Sequence, residues 1–316
     1  MSRFYEALLR NEQKLKLWKA TEGTNSRSEG SVLGGIEASL SFNSAESCKP
    51  NAEEPSTPTP STLGQVLTPP DLPYDAPTSR VGGSSAEFTG NGFRHLTVQF
   101  PENSCLSFRT DPCGLAAEQF RLLRRTLNQT FDKGAVLMIT SPGIGDGKTL
   151  TSLNLCTCLA DSGDLTLLVE ANVRRPAVGG ILGCAMEPPG IEDVWEGKAE
   201  PRLAIYLVEE PSFHAAMVVK IPEDPSRLLN GATVKQFLAW AQQHFRWVVL
   251  DAAPVLPAAD VCELLPLADA ALLVIRAQST SRELSKRAIE VLGKRLHGVI
   301  FNEATIDSNP YLRYLK

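Results

Sequence analysis

A glycine-rich segment that ends in lysine and threonine carries the clearest chemistry in this sequence. Residues 141–149 read SPGIGDGKT, between an apolar run and a segment of helical pattern. Glycines let backbone N–H groups converge on an anion, and a helix N-terminus adds partial positive charge. Lys148 would reach terminal phosphates and the Thr149 hydroxyl would bind Mg²⁺, although Pro142 stands where the strict pattern has glycine. The residues expected to contact ATP are Gly143, Gly145, Asp146, Gly147, Lys148, Thr149 and Leu150.

A carboxylate at the end of another apolar run fits the same chemistry. The run 247–250 ends in Asp251. An aspartate in this position can hold Mg²⁺ beside a phosphate-binding loop. Many strands end in aspartate, so the prediction depends on its combination with the loop. Together they predict that Thr149 and Asp251 are Mg²⁺ ligands.

Alternating apolar strands and amphipathic helices would position these groups. Strands are predicted at 135–140, 166–170, 204–208, 247–251, 271–275 and 298–302. Helices are predicted at 116–129, 148–161, 234–244 and 281–295. Continuously apolar strands between helices indicate an α/β fold of three layers, with a mostly parallel sheet covered on both faces. Ligands bind at the carboxyl ends of such strands, where the loop and Asp251 both lie.

The N-terminal third of the sequence differs in composition from the rest. Residues 1–20 predict a short basic amphipathic helix, which either docks on a membrane or a partner or packs on its own domain. Residues 21–90 are rich in proline, serine and threonine, which predicts a disordered linker. The globular domain is expected at 91–316.

Composition excludes several classes of protein. The net charge of −5 argues against general nucleic-acid binding. The sequence has no apolar run of the length of a membrane span and no signal-peptide pattern at its start, and its seven cysteines form no Cys-x-x-Cys pair. We therefore expect a cytoplasmic protein with reduced thiols.

Several motifs together resemble the cytoplasmic kinase domain of bacterial tyrosine autokinases (BY-kinases). Besides the loop, they are EQFRLLR at 118–124, LVEANVRRP at 168–176, PSRLL at 225–229 and LDAAPVLP at 250–257. The resemblance implies an ATP- and Mg²⁺-dependent kinase with a P-loop fold that phosphorylates tyrosines in its own tail. It also implies a membrane-embedded chain-length (co-polymerase) protein of polysaccharide synthesis as activator. That partner would recruit the protein to the inner face of the plasma membrane.

The resemblance also assigns roles to individual residues. The catalytic residues would be Lys148, Glu170, Asp251 and Arg174, and Glu170 would join Thr149 and Asp251 at the metal. Ring-shaped homo-oligomers would form through Glu118, Arg121 and Arg124, although these charges could equally cover a solvated helix surface. Tyr311 and Tyr314 would accept phosphate, or would pin the terminus to the domain.

One motif departs from the family pattern, Asp-x-Asp-x-Arg. This chain has Glu170 and Asn172 in the two carboxylate positions. Asn172 cannot act as a base, so this departure is expected to affect phosphotransfer more than nucleotide binding. The sequence therefore leaves two hypotheses: a tyrosine autokinase that regulates polysaccharide polymerisation or export, and a nucleotide-dependent scaffold that transfers little phosphate.

Overall fold

The computed structural model describes residues 93–96, 98, 106–209, 212–256 and 259–304. The predicted helix 1–20 and linker 21–90 lie outside these residues, as do the tyrosines Tyr311 and Tyr314. The predictions made for them therefore stay predictions.

Within the described residues, eight strands form one sheet. They are β1 (Arg94–Leu96), β2 (Ala135–Thr140), β3 (Thr166–Glu170), β4 (Ile205–Val208), β5 (Phe213–Ala216), β6 (Trp247–Asp251), β7 (Ala270–Arg276) and β8 (Leu296–Asn302). Their order across the sheet is β1-β4-β5-β3-β6-β2-β7-β8. Only the pair β4 and β5 is antiparallel among these strands, which confirms the mostly parallel sheet.

Helices cover both faces of the sheet. They are α1 (Ser107–Thr110), α2 (Leu115–Thr130), α3 (Lys148–Asp161), α4 (Val178–Leu182), α5 (Ile191–Trp195), α6 (Pro225–Leu229), α7 (Ala232–His244), α8 (Asp260–Leu264) and α9 (Arg282–Leu292). None of the helices in the described part of the chain is long and apolar enough to cross a bilayer.

The hydrophobic core consists of two layers, one on each face of the sheet. Alternate residues of β2 supply the two layers: Val136 and Met138 pack with α7, α8 and α9, whereas Leu137 and Ile139 pack with α2 and α3. Every residue of β2, β3 and β6 is buried, and their sequences are apolar except at the strand ends, as expected of strands that are covered on both faces. The predicted three-layer architecture is therefore confirmed.

The strongest sequence patterns gave element boundaries that match the structure. Strands β2, β3 and β6 and helix α3 have the predicted bounds. The short strands β1 and β5 were not predicted. Strand β5 has only four residues, FHAA, and its parallel pairing with β3 joins residues 47 positions apart, such as Leu167 and His214, a long-range contact that no local pattern reveals.

Candidate active site

The glycine-rich loop joins the end of β2 to the start of α3. Gly145 and Gly147 adopt φ angles of +86° and +91°, in the left-handed region that favours glycine. Gly147 caps α3, so Lys148 is the first helical residue. The loop thus places backbone amides and a helix N-terminus at the carboxyl end of β2, as an anion-binding site requires.

Asp146 ties this loop to the carboxyl ends of the neighbouring strands β7 and β8. One oxygen of its buried carboxylate accepts the Gly143 N–H at 2.9 Å, and the other accepts the Thr280 hydroxyl at 2.5 Å. The Asp146 carbonyl also accepts from the Asn302 side-chain amide at 3.0 Å. Thr280 follows β7 and Asn302 ends β8, so the ends of two strands hold the loop in shape.

Lys148, Thr149 and Asp251 meet at the end of β6. The Lys148 ammonium lies 4.0 Å from Asp251 Oδ1 and donates a hydrogen bond to the Thr149 hydroxyl at 3.3 Å. The Ser152 hydroxyl approaches the same Asp251 oxygen at 3.5 Å. Burial raises the pKa of Asp251 above its ordinary value, and the Lys148 ammonium opposes that rise. The structure brings together the lysine, hydroxyl and carboxylate that the sequence singled out.

The second oxygen of Asp251 tests whether this cluster fits a metal ion. Oδ2 is buried and has no hydrogen-bond partner among the described residues. A buried carboxylate oxygen without a partner is costly, and a cation would satisfy it. Carboxylate and hydroxyl oxygens are ligands suited to Mg²⁺, which takes its other ligands from water and phosphate. The donor set of Asp251 and Thr149 therefore fits Mg²⁺ beside a bound phosphate.

Glu170 lies next to Asp251 but is engaged by the backbone. The two residues are register partners on β3 and β6. Glu170 Oε1 accepts the N–H groups of Ala177 and Val178 at 2.5 and 2.8 Å, and Oε2 accepts that of Val218 at 3.0 Å. Both carboxylate oxygens thus hold the chain after β3 and β5 in place. This geometry gives Glu170 a positioning role, and the metal-ligand and catalytic roles expected from the sequence stay predictions.

Glu170 also makes stability depend on pH. Burial raises the pKa of Glu170 from 4.5 to about 7, against the opposing effect of its backbone hydrogen bonds. Because the folded-state pKa is the higher one, this carboxyl favours folding most below pH ~4.5, and its contribution is lost as the pH rises through about 7. Across this window the free energy of unfolding of the wild type should fall by roughly 1–3 kcal/mol more than that of Glu170→Gln, which has no carboxyl to titrate at this position.

Urea denaturation between pH 4.5 and 8 would measure the two slopes. Slopes are compared because glutamine also loses one acceptor oxygen, which lowers stability at every pH. The exposed Glu290→Gln in α9 is the matched control and should keep the wild-type slope. Equal slopes for wild type and Glu170→Gln would contradict the raised pKa.

Asn172 closes a turn directly after β3. Its side-chain amide donates to the Arg175 carbonyl at 2.9 Å, and the Arg175 N–H donates back to the Asn172 carbonyl at 3.1 Å. A carboxylate could not make the first of these bonds, because it has no proton to donate. The departure from the Asp-x-Asp-x-Arg pattern therefore has a structural consequence, a turn that the amide stabilises.

Arg174 binds a protein carboxylate. Its guanidinium forms a two-pronged ion pair with Asp260, with Nε 2.6 Å from Oδ2 and Nη2 3.0 Å from Oδ1. The hydrogen bond to Asp260 raises the pKa of Arg174 above its ordinary value. In this structure the guanidinium binds a buried carboxylate, and the catalytic role expected of Arg174 stays a prediction.

Comparisons with known proteins agree with this geometry. The chain is 30% identical over 198 residues to the tyrosine-protein kinase YwqD of Bacillus subtilis, a match that covers 61% of this chain and 83% of YwqD. The chain belongs to the bacterial tyrosine-protein kinases. It is also 28% identical over 207 residues to the putative tyrosine-protein kinase AmsA of Erwinia amylovora, but this match spans 64% of the chain and only 28% of AmsA. A scan of protein-family models found no match.

A solved structure of the same family shares the fold. The kinase domain of the Escherichia coli tyrosine kinase ETK superposes with a TM-score of 0.61 at 26% identity, covering 69% of this chain and 88% of that domain. The P-loop kinase architecture expected from the sequence is thereby confirmed.

The three charged residues expected at a ring interface have partners within this member of the family. Glu118 and Arg121 form an ion pair one turn apart on α2, and Arg121 also donates to the Pro112 carbonyl at 2.8 Å. Arg124 donates to the Cys158 carbonyl at 2.8 Å, near the end of α3. These contacts stabilise the monomer, and ring assembly stays a prediction.

Sequence reasoning missed four polar residues around the site. Ser226 lies on α6, in the chain after β5. The other three follow or end a strand at the site's edge of the sheet: Asp260 after β6, Thr280 after β7 and Asn302 at the end of β8. The rule that ligands bind at the carboxyl ends of strands could have directed attention to them. Of the residues predicted at the nucleotide, Leu150 is partly buried against the core below α3.

Proposed function

We propose that this protein is a Mg²⁺- and ATP-dependent tyrosine autokinase that regulates polymerisation or export of an exopolysaccharide or capsule. The cluster of Lys148, Thr149 and Asp251 at the mouth of the glycine loop carries the proposal, because it supplies a phosphate cradle, a cation and a metal-binding pair. Membership of the family supports tyrosine as the acceptor. We further propose Tyr311 and Tyr314 as acceptor residues.

Each residue of the cluster has a physical task in this reaction. Loop amides and the N-terminus of α3 would hold the phosphate chain, and Lys148 would stabilise negative charge as the terminal phosphoryl group moves. Thr149 and Asp251 would hold Mg²⁺, which when bound neutralises phosphate charge. The tyrosine oxygen would form the new bond to phosphorus as the bond to the ADP oxygen breaks, ADP would leave, and the phenolic proton would pass to water.

The activator, the cellular location and the oligomeric state are proposals of the same kind. A membrane-embedded chain-length (co-polymerase) protein would activate the kinase and recruit it from the cytoplasm to the inner face of the plasma membrane. Homo-oligomeric rings would bring the tail of one copy to the site of another, with Glu118, Arg121 and Arg124 exchanging their internal partners for those of a neighbour.

Incubation of the purified full-length chain with Mg-ATP tests the function. We expect phosphotyrosine, mapped by mass spectrometry to Tyr311 and Tyr314 and absent from the Tyr311→Phe/Tyr314→Phe double variant. ATP binding by calorimetry without any phosphotyrosine would overturn the kinase and support the scaffold, the alternative that the amide at Asn172 and the engaged carboxylate of Glu170 favour.

Asn172→Asp tests whether the native amide limits phosphotransfer. A rise in phosphotyrosine would show that it does. An unchanged rate would show that the amide at this position is not what limits the reaction.

The Asp146 network predicts a role for Thr280 in nucleotide affinity. Thr280→Val keeps the side-chain shape but removes the hydroxyl, which donates to Asp146 and also accepts the Arg276 N–H at 3.2 Å. The loop therefore loses one restraint, and the turn after β7 loses another. One hydrogen bond corresponds to about a 3- to 10-fold weaker affinity for Mg-ATP. Isothermal calorimetry would measure it, with Thr280→Ser expected to bind normally.

Thr126→Val is the matched control. Its exposed hydroxyl donates only within its own helix, to the Leu122 carbonyl at 3.1 Å. Wild-type affinity in Thr280→Val would show that the loop keeps its shape without this bond.

A further inference from the structure

A network of three side chains joins segments that are distant in sequence. The Asp260 side chain is 1% exposed, and the Arg174 side chain, which covers it, is 42% exposed. Arg174 Nη2 also donates to the Ser226 hydroxyl at 2.8 Å, and that hydroxyl lies 3.3 Å from Asp260 Oδ1. The guanidinium and the hydroxyl therefore both serve one buried carboxylate.

Each of these residues follows a strand on the same edge of the sheet. Arg174 lies in the turn after β3, Ser226 on α6 in the chain after β5, and Asp260 starts α8 in the chain after β6. Because β5, β3, β6 and β2 are neighbouring parallel strands, their carboxyl ends all lie at the edge that holds the glycine loop. The network thus forms part of the rim of the active site.

The orientation of Lys148 indicates which half of the rim faces the reacting phosphate. Its ammonium extends toward Asp251 on β6, whereas Asp146 fastens the other side of the loop to the ends of β7 and β8. In phosphate loops the lysine reaches the terminal phosphates. A bound terminal phosphate would therefore face the β6 and β3 side, where the network lies, and this is the side from which an acceptor would reach it.

We infer that Arg174, Ser226 and Asp260 form a positioning network that shapes the binding surface for the tyrosine-bearing acceptor peptide. This inference rests on the proposed kinase function. Moving Arg174 onto a phosphate would leave the buried Asp260 carboxylate without its charged partner, with only the Ser226 hydroxyl beside it, which is strongly unfavourable. The network therefore acts by holding three segments together, and its loss impairs transfer to tyrosine without impairing nucleotide binding.

Asp260→Asn tests the inference in the full-length chain. The change keeps the side-chain shape but removes the charge that fixes Arg174. We expect transfer from Mg-ATP to tyrosine, on the chain itself and on a synthetic glutamate–tyrosine copolymer, to fall about 30-fold or more, since small misplacement of reactants has effects up to ~100-fold. The Kd for Mg-ATP should stay within about 2-fold, because the residues that hold the phosphates are untouched.

Two milder variants keep the test informative if Asp260→Asn does not fold. Ser226→Ala removes both hydrogen bonds of the hydroxyl and should lower transfer by roughly 10-fold, whereas Ser226→Thr keeps the hydroxyl and should transfer normally. Arg174→Lys keeps the charge but loses the two-pronged geometry, so it should raise the KM for the copolymer more than the KM for ATP.

Glu196→Gln is the matched control, because it converts the carboxylate of an exposed ion pair with Lys198 to an amide. It should leave transfer and ATP affinity unchanged. If Asp260→Asn and Ser226→Ala each lost as much ATP affinity as transfer activity, the network would have no specific role at the acceptor. Wild-type transfer activity in both variants would also overturn that role. A wild-type chain that makes no phosphotyrosine on either acceptor would instead overturn the proposed function.

Discussion

Replacing Lys148 with methionine is expected to lower tyrosine phosphorylation by about 100-fold or more, as removal of one preorganised charge from a developing anion does in other enzymes. Methionine has a similar length but no charge, so the loop would lose its cation for the phosphates. Asp251 would be affected as well. Without the neighbouring ammonium its pKa would rise further, because burial would act unopposed by that charge. Phosphotyrosine blotting and calorimetry with Mg-ATP would measure the two losses.

Lys133→Met provides the control for Lys148→Met. Lys133 is exposed before β2, and its replacement should change neither measurement. Thermal melting would show that both variants are folded. Unchanged ATP affinity in folded Lys148→Met would contradict the phosphate-binding role of the loop.

Gly147→Ala is expected to reduce phosphotransfer by about 100-fold and to lower the free energy of unfolding by roughly 1–3 kcal/mol. A Cβ atom at this position would lie 2.0 Å from Asn302 Nδ2, at a backbone φ of +91°. The Asn302 side chain is buried and hydrogen-bonded to the Asp146 carbonyl, so it cannot move aside cheaply. The loop itself must therefore shift. Urea denaturation and the phosphotyrosine assay would measure both effects.

Gly163→Ala separates backbone strain from the clash. Gly163 has a φ of +86°, but an added Cβ would meet no atom within 4 Å. This variant should show only the cost of the left-handed conformation, about 1 kcal/mol, and normal phosphotransfer. In addition, Asn302→Ala should recover part of the stability lost in Gly147→Ala. Independent, additive effects of the two changes would show that the predicted contact does not form.

The glycine loop that Lys148→Met and Gly147→Ala alter is restrained from two sides. On one side Asp146 binds Thr280 and Asn302, and on the other Lys148 approaches Asp251. Such a loop presents its amides to phosphate with little rearrangement, which reduces the entropy that binding must overcome. Loss of either restraint should therefore appear first in nucleotide affinity.

Local patterns predicted the elements that carry the chemistry. A fully apolar strand, a glycine turn and a helix are each set by residues within about fifteen positions, so β2, the loop and α3 were predicted with their observed bounds. The strand end at Asp251 was predicted for the same reason. Its proximity to Lys148 followed from the rule that ligand sites form at the carboxyl ends of parallel strands.

The partners of individual side chains required the folded chain. Glu170 binds backbone amides that lie 7, 8 and 48 residues away, contacts that its motif did not predict. The carboxylate partner of Arg174 lies 86 residues along the chain and was not predicted either. The motif predicted that both residues would stand near the site. It did not predict which atoms each would contact.

The sequence by itself determined the glycine loop, the placement of Lys148, Thr149 and Asp251 at one edge of the sheet and the layered architecture, because these depend on residue type and short-range periodicity. Only the tertiary structure decided that Thr280 and Asn302 support the loop and that Asp260 and Ser226 hold Arg174. The order of the strands brings these residues together, and strand order is set by burial of the whole sheet between two layers of helices.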